Sequence, residues 1–248
     1  MQAYAAYFDA SGKKEHPETV VAGIVAPVYK WEAFELDWKI ALAHFDVPYF
    51  HMREFAASKG AYVDTKWKSN TYRARFMSTL ADIVKSVTLM TVARVLKHSL
   101  FEQVNKEYEL DKRFSPYVIC GLDCAMRVKN HMRKLYTDTA PIEYIFDQGD
   151  EGSGKLSVEM QCVGLPIPAF RHSKAVKNKP EIIPSIQLQA VDLIAWELRK
   201  ASATQDLPEF KQYRKSLSSL AEMEQKTWKT YTDLDNMLKN LEVKKRGK

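Results

Sequence analysis

Four acidic side chains stand where a folded chain could gather them around a cation. Asp9 ends the apolar stretch AYAAYFD, Glu54 lies in FHMREF, Asp147 ends IEYIFD, and Asp192 interrupts the apolar pattern QLQAVDLIAWELRKA. Neighbouring strands run about 4.7 to 4.9 Å apart, so two carboxylates at one sheet edge can meet. In a helix, Asp192 has Leu188, Gln189, Ala195 and Trp196 as its i±3 and i±4 neighbours, on the margin of the stripe Val191, Ile194, Ala195 and Leu198. A bare charge is costly there unless it is salt-bridged, hydrogen-bonded or bound to a cation. Magnesium or manganese suits an all-oxygen donor set. Two such ions about 3.5 to 4 Å apart can activate a water and stabilise the leaving oxygen of a phosphodiester.

The elements that would position these acids follow from the hydrophobic pattern. Gln2 to Phe8 and Thr19 to Ala26 form strands joined by the polar loop SGKKEHPE, a hairpin with a long connection. Tyr29 to Phe45, Thr71 to Val84, Leu100 to Tyr108 and Pro116 to Leu135 are expected helices, and VTLMTVARVL and Ile142 to Phe146 are expected strands. The segment YFHMREFAAS is too short to assign, and KGAYVDTKWKSN and the run through Gly149, Gly152 and Gly154 are expected loops. Ile182 to Ile186 is expected to be extended, Gln187 to Ala201 helical, and Leu207 to Leu241 a polar-rich helical appendage. Strands first, with helices between the later strands, predict the α/β class with a mixed central sheet flanked by helices. The expected domains are 1–205, with a helical insertion at about 97–137, and a helical, basic C-terminal extension over 206–248.

Composition narrows the function classes. A chain of 248 residues that is 46% hydrophobic can bury a large core. Three cysteines, Cys120, Cys124 and Cys162, lack C-x-x-C spacing, which points to reduced thiols in apolar surroundings and a cytoplasmic setting rather than a disulfide framework or zinc ribbon. No run approaches about 18 uninterrupted apolar residues, so no membrane span is expected. The net charge of +6 is uneven: residues 226–248 hold seven basic side chains against three acids, and the run FRHSKAVKNKP holds four bases and no acid. Nucleic acid is therefore the favoured polyanion partner. There is no G-x-S-x-G elbow and no P-loop, and Trp31, Trp38 and Trp196 fall at helical core spacing.

Several further side chains are candidates for the same chemistry. His51 precedes Glu54 by three residues and can share a helical face with it. Ser11, next to the turn-forming Gly12, can bond that turn or contact a phosphate. Arg171 and Lys174 of the basic run, and Gln189 one turn before Asp192, complete the expected substrate contacts.

Taken in order, YFDASG, FHMREF, IFDQGDE and IQLQAVDLIAWELRK resemble the motifs of the bacterial domain-of-unknown-function family numbered three thousand eight hundred. The resemblance extends over about residues 4–200 and implies a ribonuclease H-like architecture. It also implies that Asp9, Glu54, Asp147 and Asp192 are metal-binding carboxylates, with His51 beside them. Two departures stand out: Ala10 replaces the usual Glu after the first Asp, and Val191 the usual Ala before the last. The expected activity is metal-dependent phosphodiester hydrolysis with Mg or Mn, in a bacterial, phage- or defence-associated setting. Ala10 favours the alternative, a non-catalytic nucleic-acid- or protein-binding module on the same fold. Homo-oligomerisation through the C-terminal segment is a further expectation.

Overall fold

The structure, a computed structural model, describes residues 2–12, 15–135, 141–148, 151–176, 179, 183–205, 226–231, 233, 234 and 238. Its strands are β1 (Tyr4–Ser11), β2 (Glu18–Pro27), β3 (Met90–Lys97), β4 (Ile142–Asp147), β5 (Ala169–Arg171) and β6 (Lys226–Thr230). They form one mixed sheet in the order β5-β4-β1-β2-β3-β6. β1, β2 and β3 make an antiparallel meander. β4 lies parallel to β1, β5 parallel to β4, and β6 parallel to β3. A meander extended beyond β1 by parallel strands reached through helices is the mixed α/β architecture, a central sheet flanked by helices, expected of the sequence.

β2 is buried at every position. Both sheet faces are covered, so TVVAGIVAP is a continuous apolar run rather than an alternating one. One face carries α7 (Ile186–Gln205), α1 (Val28–His44) and α3 (Asn70–Val87), and receives Ala5 and Tyr7 of β1. The opposite face carries α5 (Pro116–Leu135) and receives Tyr4, Ala6 and Phe8. This strict alternation along β1 fixes which later side chains point towards α7.

The expected helices are present as α1, α3, α4 (His98–Tyr108), α5 and α7. FHMREF contains a short helix, α2 (Met52–Ala56), and KGAYVDTKWKSN contains two 3-10 turns, Gly60–Tyr62 and Thr65–Lys68. Glu151 and Gly152 make a turn as expected, with Gly152 at φ 110°, but Gly154 already belongs to α6 (Ser153–Cys162), and Gly149 lies outside the described residues. Ile182 and Asp150 lie outside the described residues, and Ile186 already belongs to α7.

The C-terminal segment departs from the expected helix at Lys226–Thr230, whereas Leu238 is helical. Lys226–Thr230 extend the sheet beside β3, with Trp228 Nε1 donating to Thr91 Oγ1 at 3.1 Å. The β-favouring sequence KTWKT explains the strand. Tyr231, Leu234 and Leu238 then bury themselves on the α5 face. The rest of 206–248, apart from Asp233, lies outside the described residues. Cys120 and Cys124 are buried, and burial pushes both thiols up, whereas Cys162 is exposed rather than in the apolar setting expected. Among the described residues no helix is long and apolar enough to cross a membrane.

Candidate active site

The register of two parallel strands brings the first two acids together. β1 and β4 pair as far as Phe8 opposite Phe146, whose rings stack 4.4 Å apart on the α5 face. The next residue on each strand is Asp9 and Asp147. They are therefore side by side at the carboxyl ends of parallel strands, where open α/β sheets take their ligands. Two residues earlier, Tyr7 and Ile145 belong to the core under α7, so pleating turns Asp9 and Asp147 to that same face. β1 itself continues to Ser11 against β2, so Asp9 lies one residue past the pairing with β4 and does not end the strand.

Backbone donors hold each acid. Asp9 Oδ1 accepts from Ala10 N–H at 2.8 Å, Asp147 Oδ1 from Ser173 N–H at 3.0 Å, and Asp192 Oδ2 from Met52 N–H at 2.6 Å. The last bond joins α7 to the start of α2. Gln189, one turn earlier, is 3% exposed and serves as a brace. Its Oε1 accepts from Trp38 Nε1 at 3.1 Å and Phe50 N–H at 2.9 Å, while its Nε2 donates to Ser173 O at 2.9 Å. One amide thus ties α7, which carries Asp192, to the segment ahead of His51 and to Ser173, whose N–H donates to Asp147.

α2 is short and owes its position to aromatic packing. Phe50 and Phe55 insert among Trp38, Tyr62, Trp67 and Phe76, which leaves His51 and Glu54 partly accessible on the other side. Glu54 accepts from Tyr49 Oη–H at 2.6 Å, from His51 Nδ1 at 3.0 Å and from Lys174 Nζ at 3.1 Å. Gly60, at φ +59°, lies so close that a Cβ there would collide with Glu54 Oε2. Burial alone would raise the Glu54 carboxyl, but the bonds from Tyr49, Lys174 and His51 together hold it below its ordinary value.

Asp192 is in the opposite condition. Burial pushes its carboxyl above the ordinary carboxylate value and the Asp147 charge adds to the rise, while His51, the Met52 N–H and Lys174 act against it. A site that disfavours its own negative charge in this way gains from a cation, and its donors are all carboxylate oxygens, the chemistry of a hard divalent ion. Among the described residues no three His, Cys, Asp or Glu side chains already form a group that would hold a metal. Carboxylate oxygen is the donor type that magnesium and manganese take.

The remaining candidates divide. Lys174 joins the site through Glu54. Arg171 pairs instead with Glu143 at 3.2 Å on the exposed sheet edge. Ser11 lies on the same face as Asp9, two residues or about 6.6 to 6.8 Å further along the strand. Its Oγ accepts from Arg199 Nε at 2.9 Å. Arg199, two helical turns after Asp192, went unrecognised in the sequence, although the seven-residue spacing on α7 was a signal for it. Burial lowers its pKa and nearby Arg53 lowers it further, with Glu18 opposing. Arg199 thus reaches the end of β1 through Ser11.

No family model and no curated protein matches the chain. Among solved structures, ribonuclease H2 from Pyrococcus horikoshii OT3 is similar at a TM-score of 0.38 and 14% identity, over 88% of this chain and 84% of that one. Ribonuclease HII from Archaeoglobus fulgidus, solved as a complex with PCNA, is similar at a TM-score of 0.36 and 16% identity, over 88% and 86%. The architecture stands on strand order and direction.

Proposed function

We propose that this chain is a metal-dependent nuclease that hydrolyses phosphodiester bonds at Asp9, Asp147 and Asp192, with Glu54 beside them. The observation that supports it is the β1 and β4 register, which sets two carboxylates side by side on the face where α7 presents a third whose charge the fold disfavours. A bound magnesium or manganese ion would supply positive charge at the scissile phosphate and a water activated for attack. The three aspartates would be its oxygen ligands. Lys174 and Arg199 attract phosphates on either side of the acids, and the Ser11 hydroxyl is oriented by Arg199 towards the backbone of a bound strand. Glu54, kept ionised by Tyr49, Lys174 and His51, fixes the Lys174 ammonium at the site's rim. The basic run and C-terminal tail add sequence-independent affinity that weakens with salt.

The test is cleavage of end-labelled single-stranded, duplex and hybrid substrates with and without Mn²⁺. Asp9→Asn and Asp192→Asn are each expected to lower the rate by about a hundred- to a thousandfold, the scale of losing a group that stabilises transition-state charge. Variants that cleave as well as the unmodified chain would refute the mechanism. Ala10, where the resembling family carries an acid, supports a second reading, a binding module without catalysis. In that case calorimetric titration with Mn²⁺ finds no binding that Asp9→Asn removes.

A further inference from the structure

α1 is apolar on two opposite faces, and only one of them is used. Trp31, Phe34, Trp38, Ala41 and Leu42 pack into the core. On the far side Tyr29, Leu36 and Ile40 are 60%, 61% and 59% exposed, and Ala33 and Ala43 between and beyond them are exposed as well. Tyr29, Ala33, Leu36, Ile40 and Ala43 follow one another at intervals of four, three, four and three residues. That is the spacing of a heptad seam, the stripe through which one helix meets another. A helix that is solvated on its outer face has no reason to keep three large apolar side chains at those intervals.

We infer that α1 pairs antiparallel with α1 of a second copy of this chain, around a two-fold axis passing between Ala33 and Leu36. In this register Tyr29 lies opposite Ile40 of the other copy, and Ala33 opposite Leu36, so the small Ala33 receives the larger Leu36 in the two central layers while Tyr29 and Ile40 close the seam on either side. The charges that border the seam choose the direction. Glu32 comes opposite Lys39 of the other copy and Lys30 opposite Asp37, and two-fold symmetry makes each pair twice. A parallel pair would set Glu32 against Asp37, like charge against like. Shifting the antiparallel register by one heptad would bring Asp37 against Asp37 and Lys39 against Lys39. Lys39 at present meets Glu35 of its own helix at 2.5 Å in an exposed pair, which is too weak to hold it from a second partner. In this proposal self-association runs through α1, and it stands apart from any catalytic reading.

Sedimentation velocity from about 5 to 500 µM tests the pairing, a range set by a seam of only two heptads. The unmodified chain is expected to dimerise, and Leu36→Glu to weaken the dimer at least about a hundredfold by placing two charges in its centre. Glu32→Lys is expected to weaken it about tenfold, and Glu32→Lys combined with Lys39→Glu to restore it to within about threefold. All these positions are solvent-facing, and circular dichroism checks that each variant keeps the fold. A chain that stays monomeric throughout, or a dimer that Leu36→Glu leaves intact, overturns the seam. A double variant without recovery overturns the antiparallel register.

Discussion

Two aspartates sit in the helices that cover opposite faces of one sheet, and they meet opposite environments. Asp123 of α5 accepts from Arg94 Nε at 2.5 Å, from Tyr231 Oη–H at 2.6 Å and from Arg127 Nε at 3.4 Å. Burial alone would raise its carboxyl, yet Arg94 and these bonds hold it below the ordinary value. Asp192 of α7 has one backbone N–H and a neighbouring carboxylate, and it sits above the ordinary value. The first acid is matched within the fold, fastening the residue after β6 to α5 and β3. The second is left short of positive charge, which is what a ligand site requires and a structural site avoids.

Neutralising each acid in turn should separate the two roles most widely. Asp123→Asn leaves Arg94, 2% exposed, without its closest counter-charge, and should cost about 3 to 5 kcal/mol of stability. Asp192→Asn retains an oxygen for the Met52 N–H and removes a disfavoured charge, so its stability should equal or exceed that of the unmodified chain. Urea unfolding at pH 7 without divalent ions measures both, and equal losses would erase the contrast.

This asymmetry explains how much the sequence disclosed. The α7 acid was visible because a charge breaks an apolar helical stripe, and Asp9 and Asp147 because each follows an apolar run that alternates or ends abruptly. Asp123 sits in an apolar helix too, but its partners come from β3 and from beyond β6, long-range neighbours that no local pattern reveals. Gln189 is similar: a polar residue in LQAVD gives no sign that it will brace Phe50 and Ser173. α6 was hidden by Gly152 and Gly154, and β6 by a charged, polar surround that resembles a helix surface. Local periodicity reports burial, while the bonds that orient a site are set by tertiary contacts.

A smaller effect should appear when pH is varied without metal. The Asp123 carboxyl is lowered in the folded chain, so its contribution is complete above the unfolded value of about 3.9 and disappears only as pH falls through the lower, folded value. The Asp192 carboxyl is raised, so its ionisation costs stability above its folded value, and that cost is recovered as pH falls towards about 3.9. Going down from neutral pH, the difference between the unmodified chain and Asp192→Asn should therefore shrink before pH 4 is reached. The difference from Asp123→Asn should stay level over that range and collapse only below it. Urea midpoints at half-unit pH steps would show the two curves bending on opposite sides of that value, and a common bend would mean that both acids share one environment.

Glu54 lies between these extremes and gives the finest distinction. It is compensated like Asp123, yet its donors are a histidine, a lysine and a tyrosine at the rim of the site rather than a buried arginine. The phenol of Tyr49 is pushed up to about 12, first by its hydrogen bond to Glu54, so it remains a donor throughout the working range. Tyr49→Phe removes one of three donors from a carboxylate that is partly open to water. Loss of such a bond is worth about 1 kcal/mol, less than one pKa unit. The Glu54 carboxyl should move up by that much in a carbon-detected NMR titration, and thermal stability should hardly change. A larger rise would mean that Tyr49 alone keeps Glu54 ionised, and that Lys174 and His51 are spectators at the rim. No rise would mean that those two suffice, leaving Tyr49 to position the backbone of α2 through Tyr62, whose hydroxyl donates to Tyr49 O at 3.0 Å.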